Sequence, residues 1–360
     1  MDDDRIDFIQ ALRGIAALLV VFFHAHFFVD NASFRAWSER YFGSGAIGVD
    51  LFFVISGFIM VHTTTRAPAT ARSGVRFLAR RLARVWPVYA AHTIFYVLLI
   101  HGHDGLPGEH VAWTKLERSL AFYPQQVTDE PMLGFPSLGV GWTLNYEAWF
   151  YLLFAASMFA GTRRWAVFFG ALAATLVALP LALAGDLRWS AFGSYHAGSP
   201  MLALVMNPMI WEFGAGVGIA LLYRSRVRLR SPIARGVLLV ATAAFVLVRY
   251  FDGNPLVYGP SRGGLPVALF VLALTLQHKE RRITIPKPML WLGEISFSLY
   301  LVQRLPQKAL MTNFKDESFF HTITWFWLGS LVAIALATIS YFVLERGLSE
   351  RVRKWLLAVL

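Results

Sequence analysis

Phe8-Ile9-Gln10-Ala11-Leu12-Arg13-Gly14-Ile15-Ala16-Ala17-Leu18-Leu19-Val20-Val21-Phe22-Phe23-His24-Ala25-His26-Phe27-Phe28-Val29 is the stretch whose reading decides the fold. At 1.5 Å per residue a helix of this length reaches about 30 Å, the thickness of a bilayer's hydrocarbon core. Working outward, apolar segments of comparable character recur, at about 8–29, 47–63, 86–101, 141–160, 165–184, 203–223, 235–251, 263–277, 288–303 and 322–344, separated by polar loops. The composition agrees: 56% of the 360 residues are hydrophobic and 15% charged, where a soluble protein carries about 25% charge. A mean hydropathy of +0.52 suits neither soluble domains nor a disordered chain. The expectation is an all-α polytopic transmembrane bundle of about ten spans, a single membrane domain over 1–360 with no fused soluble domain. The chain has no cysteine, which excludes a disulfide framework, a thiol nucleophile and an iron–sulfur cluster.

The formal charge of +11 raises the question of nucleic acid, and the loops answer it. With the N-terminus in the cytoplasm, 22 of the 33 Lys and Arg fall on the cytoplasmic side, 10 in outer loops, and Arg13 inside the first span. This is the positive-inside bias, so the basic excess is largely topological and no nucleic-acid partner is expected. Both termini then face the cytoplasm. The acidic start Met1-Asp2-Asp3-Asp4-Arg5 lacks a basic n-region and a small-residue cleavage site, so the first segment is expected to be a retained helix. The longest outer loop, about 102–140, is rich in Gly, Pro and aromatics and is expected to fold over the mouth of the bundle.

Ionisable groups inside a membrane are costly and are functional candidates by default. Arg13 and His24 are 11 residues apart, about 20° past three full helical turns, so they share one face at a separation of roughly 16 Å. Asp50 opens the second span, and Glu147 lies about six residues, or roughly 9 Å, into the fourth from its outer end. His24 lies at a similar depth, roughly 8 Å from the outer end of its own span. These three can meet, and a histidine oriented by a carboxylate is apparatus for taking a proton from a hydroxyl. A buried His or Glu can equally bond a neighbouring helix's backbone, and spacing alone does not choose. His26 faces away from His24, towards the membrane interface.

Arg76, Arg80, Arg81 and Arg84 run into Trp86-Pro87. In a helix Arg80 and Arg84 stack, and Arg81 pairs with Arg84. Such guanidiniums suit a phosphate-bearing ligand, or else form a cytoplasmic anchor on lipid headgroups. The run His101-Gly102-His103-Asp104 has metal-like spacing, but no second ligand set follows; it is read as a solvated loop, and no metal is expected.

Taken in order, these residues resemble the acyltransferase-3 family of integral membrane acyltransferases, especially its exopolysaccharide O-acetyltransferase branch, over nearly the whole chain. The resemblance rests on Ile6-Asp7 through Arg13-Gly14 to His24, on Gly48-Val49-Asp50 to Ser56-Gly57-Phe58, and on Arg81-x-x-Arg84 before Trp86-Pro87. It continues with Gly141-Trp142-Thr143-Leu144-Asn145-Tyr146-Glu147 and Phe150-Tyr151, then Trp211-Glu212-Phe213-x-x-Gly216. It closes with Leu292-Gly293-x-Ile295-Ser296-Phe297-Ser298-Leu299-Tyr300-Leu301 and Glu345-Arg346. The chain departs from the pattern at Ala148, where a second Glu is frequent, and at Gln303, where many members carry His.

The resemblance implies that His24 is the essential histidine, that Arg13 is its partner on the same helix, and that Arg81 and Arg84 serve an acyl-CoA donor. It implies a bacterial inner-membrane enzyme that uses acetyl-CoA as donor substrate, with no permanently bound cofactor. The acceptor is then a polysaccharide or lipid-linked saccharide, and polysaccharide-assembly proteins are candidate partners beside the membrane lipids. His24 acts as general base or carries the acyl group, with Glu147 or Asp50 orienting it. Trp142, Asn145, Tyr146 and Tyr151 line the acceptor side, since sugar faces pack on aromatic rings. The rival readings are a proton-coupled carrier or flippase of a glycan or lipid, and a non-catalytic scaffold. A carrier more often shows Gly/Pro-broken helices in two corresponding halves, a symmetry the sequence lacks, and a scaffold leaves buried Arg13, His24 and Glu147 unexplained.

Overall fold

The computed structural model describes residues 6–29, 32–101, 110–193, 195, 198–253, 258–306 and 323–360. Among them there is no β-strand, and every apolar segment of the sequence falls on helix. Among the described residues, six helical stretches are long and apolar enough to cross a membrane: Asp7–His26, Phe34–Thr63, Ala71–Leu99, Gly161–Ala184, Pro232–Tyr250 and Thr324–Val359. A seventh forms if Pro200–Met206 and Ile210–Arg224, which meet at a 40° bend, are taken as one. The remaining apolar segments are helical but short. Trp142–Met158 has 17 residues, Leu265–Glu280 has 16, and the segment near 288–303 is divided into Lys287–Glu294 and Ser296–Val302.

The chain folds into two compact units, Met1–Thr63 with Trp211–Ala337 and Thr64–Ile210 with Thr338–Leu360. In the first, α1 (Asp7–His26) packs against α2 (Ala32–Phe42), α3 (Ile47–Thr63), and the two halves of a broken helix, α13 (Lys287–Glu294) and α14 (Ser296–Val302). Beside α3 lie α10 (Ile210–Arg224) and α12 (Leu265–Glu280), and α11 (Pro232–Tyr250) pairs with α12. Ser231 starts α11 by accepting a hydrogen bond from the Ala234 amide at 3.2 Å, with Pro232 following at a position that needs no amide proton.

Two crossings of the first unit are too close for any side chain. A Cβ on Gly216 of α10 would stand 1.9 Å from the Val54 carbonyl oxygen of α3, and one on Gly57 would stand 2.0 Å from the Phe213 oxygen. Gly293 of α13 meets the Gln10 oxygen of α1 in the same way, at 2.0 Å. Small residues that admit backbone contact are how helices associate where no hydrophobic effect drives them together. The glycines of Ser56-Gly57-Phe58, Trp211-Glu212-Phe213-x-x-Gly216 and Leu292-Gly293 thus have a packing reason.

In the second unit, α4 (Ala71–His101) continues through Pro87 without ending, so the apolar segment that begins at 86 is the second half of a 31-residue helix. Against α4 lie α6 (Trp142–Met158) and the C-terminal stretch that ends in α16 (Glu350–Val359). A buried hydrogen bond between His92 and the Ser340 hydroxyl, 2.8 Å, ties α4 to this stretch. The part of the loop within the described residues, 110–140, forms α5 (His110–Leu120) and irregular chain, anchored where Trp86 Nε1 donates to the Leu120 carbonyl at 3.0 Å.

Candidate active site

The first unit positions His24 about half a turn from the end of a continuous α1, with Arg13 on the same helix. His24 is half-buried, and its Nδ1 lies 2.9 Å from the Val20 carbonyl. A carbonyl only accepts, so Nδ1 carries the proton and Nε2 of the neutral ring keeps its lone pair. The sequence anticipated a carboxylate as the orienting group; here a backbone oxygen holds Nδ1. Gln303 and Arg304, just past the end of α14, interact with the ring. His26 is buried, with Nδ1 hydrogen-bonded to the Phe23 carbonyl. Arg13 donates from Nη1 to Gln10 Oε1 at 3.2 Å.

Asp50 takes a different partner. It is fully buried, its Oδ1 accepts from the Gly259 amide at 2.8 Å, and its carboxyl lies close enough to that of Glu212 on α10 for the two to interact. Asp50 thus faces Gly259 and Glu212. Sequence reading quoted Glu212 within a motif but gave it no role. Its signal was an acidic residue inside an apolar helix, which needs a partner wherever it is buried. Asp50→Asn keeps an acceptor for Gly259 and a donor for Glu212, and is expected to leave thermal unfolding in detergent nearly unchanged. Asp50→Ala strands both groups and should cost about 1–3 kcal/mol for each, visible as a clearly lower unfolding temperature.

The second unit gathers the other candidates. On α4 the Arg81 guanidinium lies 5.4 Å from the Phe77 ring centroid and 5.7 Å from that of Tyr151. The Tyr151 hydroxyl donates to Glu147 Oε1, one turn away on α6. Arg81, Glu147 and Tyr151, with Asn145, line a cavity of about 430 Å³ whose walls are otherwise mostly apolar. Arg84 is exposed and acts electrostatically on both Arg81 and Tyr151. Asn145 is buried, and among the described residues neither atom of its amide has a partner.

Trp142 and Tyr146, expected to face an acceptor, are instead packed inside. Their rings make an edge contact at 5.9 Å, and the Tyr146 hydroxyl donates to the Pro131 carbonyl at 2.7 Å. The sequence also missed Arg353. On α16 it comes close enough to Arg80, together with Arg76, for the three charges to interact. Its only trace in the sequence was a basic C-terminal stretch, which spacing could not connect to α4. The run beyond His101 that had metal-like spacing lies outside the described residues.

The acyltransferase domain model matches residues 6–342. Among curated proteins the chain is 33% identical to the exopolysaccharide production protein ExoZ of Rhizobium meliloti, over 73% of this chain and 76% of that one. It is 27% identical to the putative membrane-bound transacylase BcsY of Komagataeibacter xylinus, over 81% and 70%. To the peptidoglycan O-acetyltransferase OatA of Listeria monocytogenes it is 26% identical, over 81% of this chain and 48% of the other. No solved structure matches it. With its domain spanning nearly the whole helical chain, the protein belongs to the acyltransferase-3 family of enzymes, which transfer acyl groups other than aminoacyl groups.

Proposed function

We propose that this protein is an O-acetyltransferase of the bacterial inner membrane that moves an acetyl group from cytoplasmic acetyl-CoA to a hydroxyl of an exported polysaccharide or its lipid-linked precursor. The observation that carries the reading is His24: an intramembrane imidazole with Nδ1–H tied to Val20, which leaves the lone pair of the neutral ring on Nε2. Names among the relatives, exopolysaccharide production protein and peptidoglycan O-acetyltransferase, support the acceptor class. The positive-inside distribution supports ten spans with both termini in the cytoplasm.

His24 Nε2 takes the proton of the acceptor hydroxyl as its oxygen attacks the thioester carbonyl carbon. The carbon–sulfur bond then breaks, the leaving thiolate takes the proton from Nε2–H, and the products are ester and free coenzyme A. Arg81 and Arg84, with Arg80, Arg76 and Arg353 nearby, supply guanidiniums for the donor's phosphates. Arg13 contributes charge on the helix that carries His24. Arg81→Lys keeps the charge but loses the planar face set against Phe77 and Tyr151. It is expected to raise KM for acetyl-CoA about tenfold with a smaller change in kcat.

The deciding experiment compares acyl groups on purified surface and secreted polysaccharides from three strains: one lacking the gene, one restored with wild type, and one restored with His24→Ala. Loss of a specific O-acetyl group, recovered only by wild type, establishes the activity and names the acceptor. Unchanged acylation with an altered amount of polysaccharide would identify a carrier instead.

A further inference from the structure

Gln303 is completely buried just past the end of α14, which packs against α1, and it interacts with His24. Its Nε2 donates to the Tyr300 carbonyl at 3.0 Å, which fixes the orientation of the carboxamide. Its Oε1 is left buried and, among the described residues, without a hydrogen-bond partner. A buried acceptor without a donor is costly, and such groups persist where another state satisfies them.

That other state follows from the tautomer. In neutral His24 the only ring proton is on Nδ1 and is held by Val20; Nε2 has none to give. Once Nε2 takes a proton, the ring gains a second N–H, and an unpaired carboxamide oxygen beside it becomes an acceptor for a charged donor. Arg304, the next residue, places a positive charge near the same ring, so the imidazolium needs an opposing dipole. Asp50 does not supply one, because its carboxyl faces Gly259 and Glu212.

We infer that Gln303 is a positioning residue for acyl transfer, its Oε1 accepting the Nε2–H of His24 only while that ring is protonated. The inference rests on the general-base role proposed for His24. An interaction made in the charged state and absent in the resting state lowers the barrier without tightening substrate binding.

The test uses purified full-length protein in proteoliposomes, acetyl-CoA as donor, and as acceptor probe the host's own exported polysaccharide after mild alkaline removal of its O-acetyl groups. Release of coenzyme A is followed with a thiol reagent; the chain has no cysteine, so the signal belongs to the coenzyme alone. Gln303→Met keeps length and volume but removes the acceptor, with Gln303→Leu as a second acceptor-free variant. Gln303→Glu restores an acceptor. Both acceptor-free variants should lose about 10- to 100-fold in kcat with KM for acetyl-CoA within about twofold of wild type, and Gln303→Glu should recover to within about fivefold.

Wild-type turnover in either acceptor-free variant overturns the inference and leaves the transfer reading intact. Equal loss in the Met and Glu variants, or a loss confined to KM, also overturns it, since a structural role would act that way. Wild-type protein that releases no coenzyme A removes the transfer reading and this inference with it.

Discussion

Replacing His24 with alanine is expected to abolish acyl transfer, by at least about 10² to 10⁴-fold, in a protein that still folds and inserts. The two parts of this result have separate causes. Activity is lost because His24 presents a basic Nε2 while Nδ1 is tied to Val20, and alanine has neither. Folding is kept because the imidazole is only half-buried and its one backbone bond lies within its own helix. Loss of such a bond costs about 1 kcal/mol. The contacts that hold α1 are made elsewhere, by Ala16, Ala17, Val20 and Val21 in its buried face and at the glycine crossing with α13. The measurements are O-acetyl content of the purified polysaccharide, and chromatographic behaviour and thermal unfolding of the variant in detergent. Normal acetylation by His24→Ala would end the proposed mechanism. Label from acetyl-CoA that remains on the wild-type chain without acceptor, and is absent from His24→Ala, would show that the ring carries the acyl group covalently.

Gly216→Val should have the opposite profile: no folded protein from which activity could be measured. Its Cβ would lie 1.9 Å from the Val54 oxygen and 2.9 Å from the Phe58 nitrogen, both backbone atoms of α3 that no rotamer change can move. The helices must separate, and Gly57 shows the same contact from the other side. Overpacking alone costs about 1–3 kcal/mol, and more where backbone has to shift. Separation also pulls apart Asp50 and Glu212, which sit on the same two helices and interact across the crossing. Stranding those buried groups adds about 1–3 kcal/mol each, and the sum approaches the whole stability of an ordinary domain, about 5–15 kcal/mol. Gly218→Ala is the control on the same helix. A Cβ there meets nothing within 4 Å, and alanine favours helix over glycine by about 1 kcal/mol. Yield of monodisperse protein should collapse for Gly216→Val and hold for Gly218→Ala; equal yields would show that the crossing is looser than described.

The helices themselves were legible in the sequence, and so was the shared face of Arg13 and His24, because both follow from local rules. Apolar runs must satisfy their own backbone in a membrane, and a rise of 1.5 Å with 100° per residue fixes which side chains align. Arg80, Arg81 and Arg84 could be placed by the same rule once α4 was helical through Pro87. Sequence reading also expected His24, Asp50 and Glu147 at a similar depth. Depth does not say which helix stands beside which. That was decided by Gly57 against Gly216, which brings Asp50 to Glu212, and by α14 against α1, which brings Gln303 to His24. The approach of Arg353 to Arg80 is of the same kind. Periodicity is a property of one helix and is written in consecutive residues; partnership depends on the fit of two surfaces far apart in the chain, and only the packed structure expresses it.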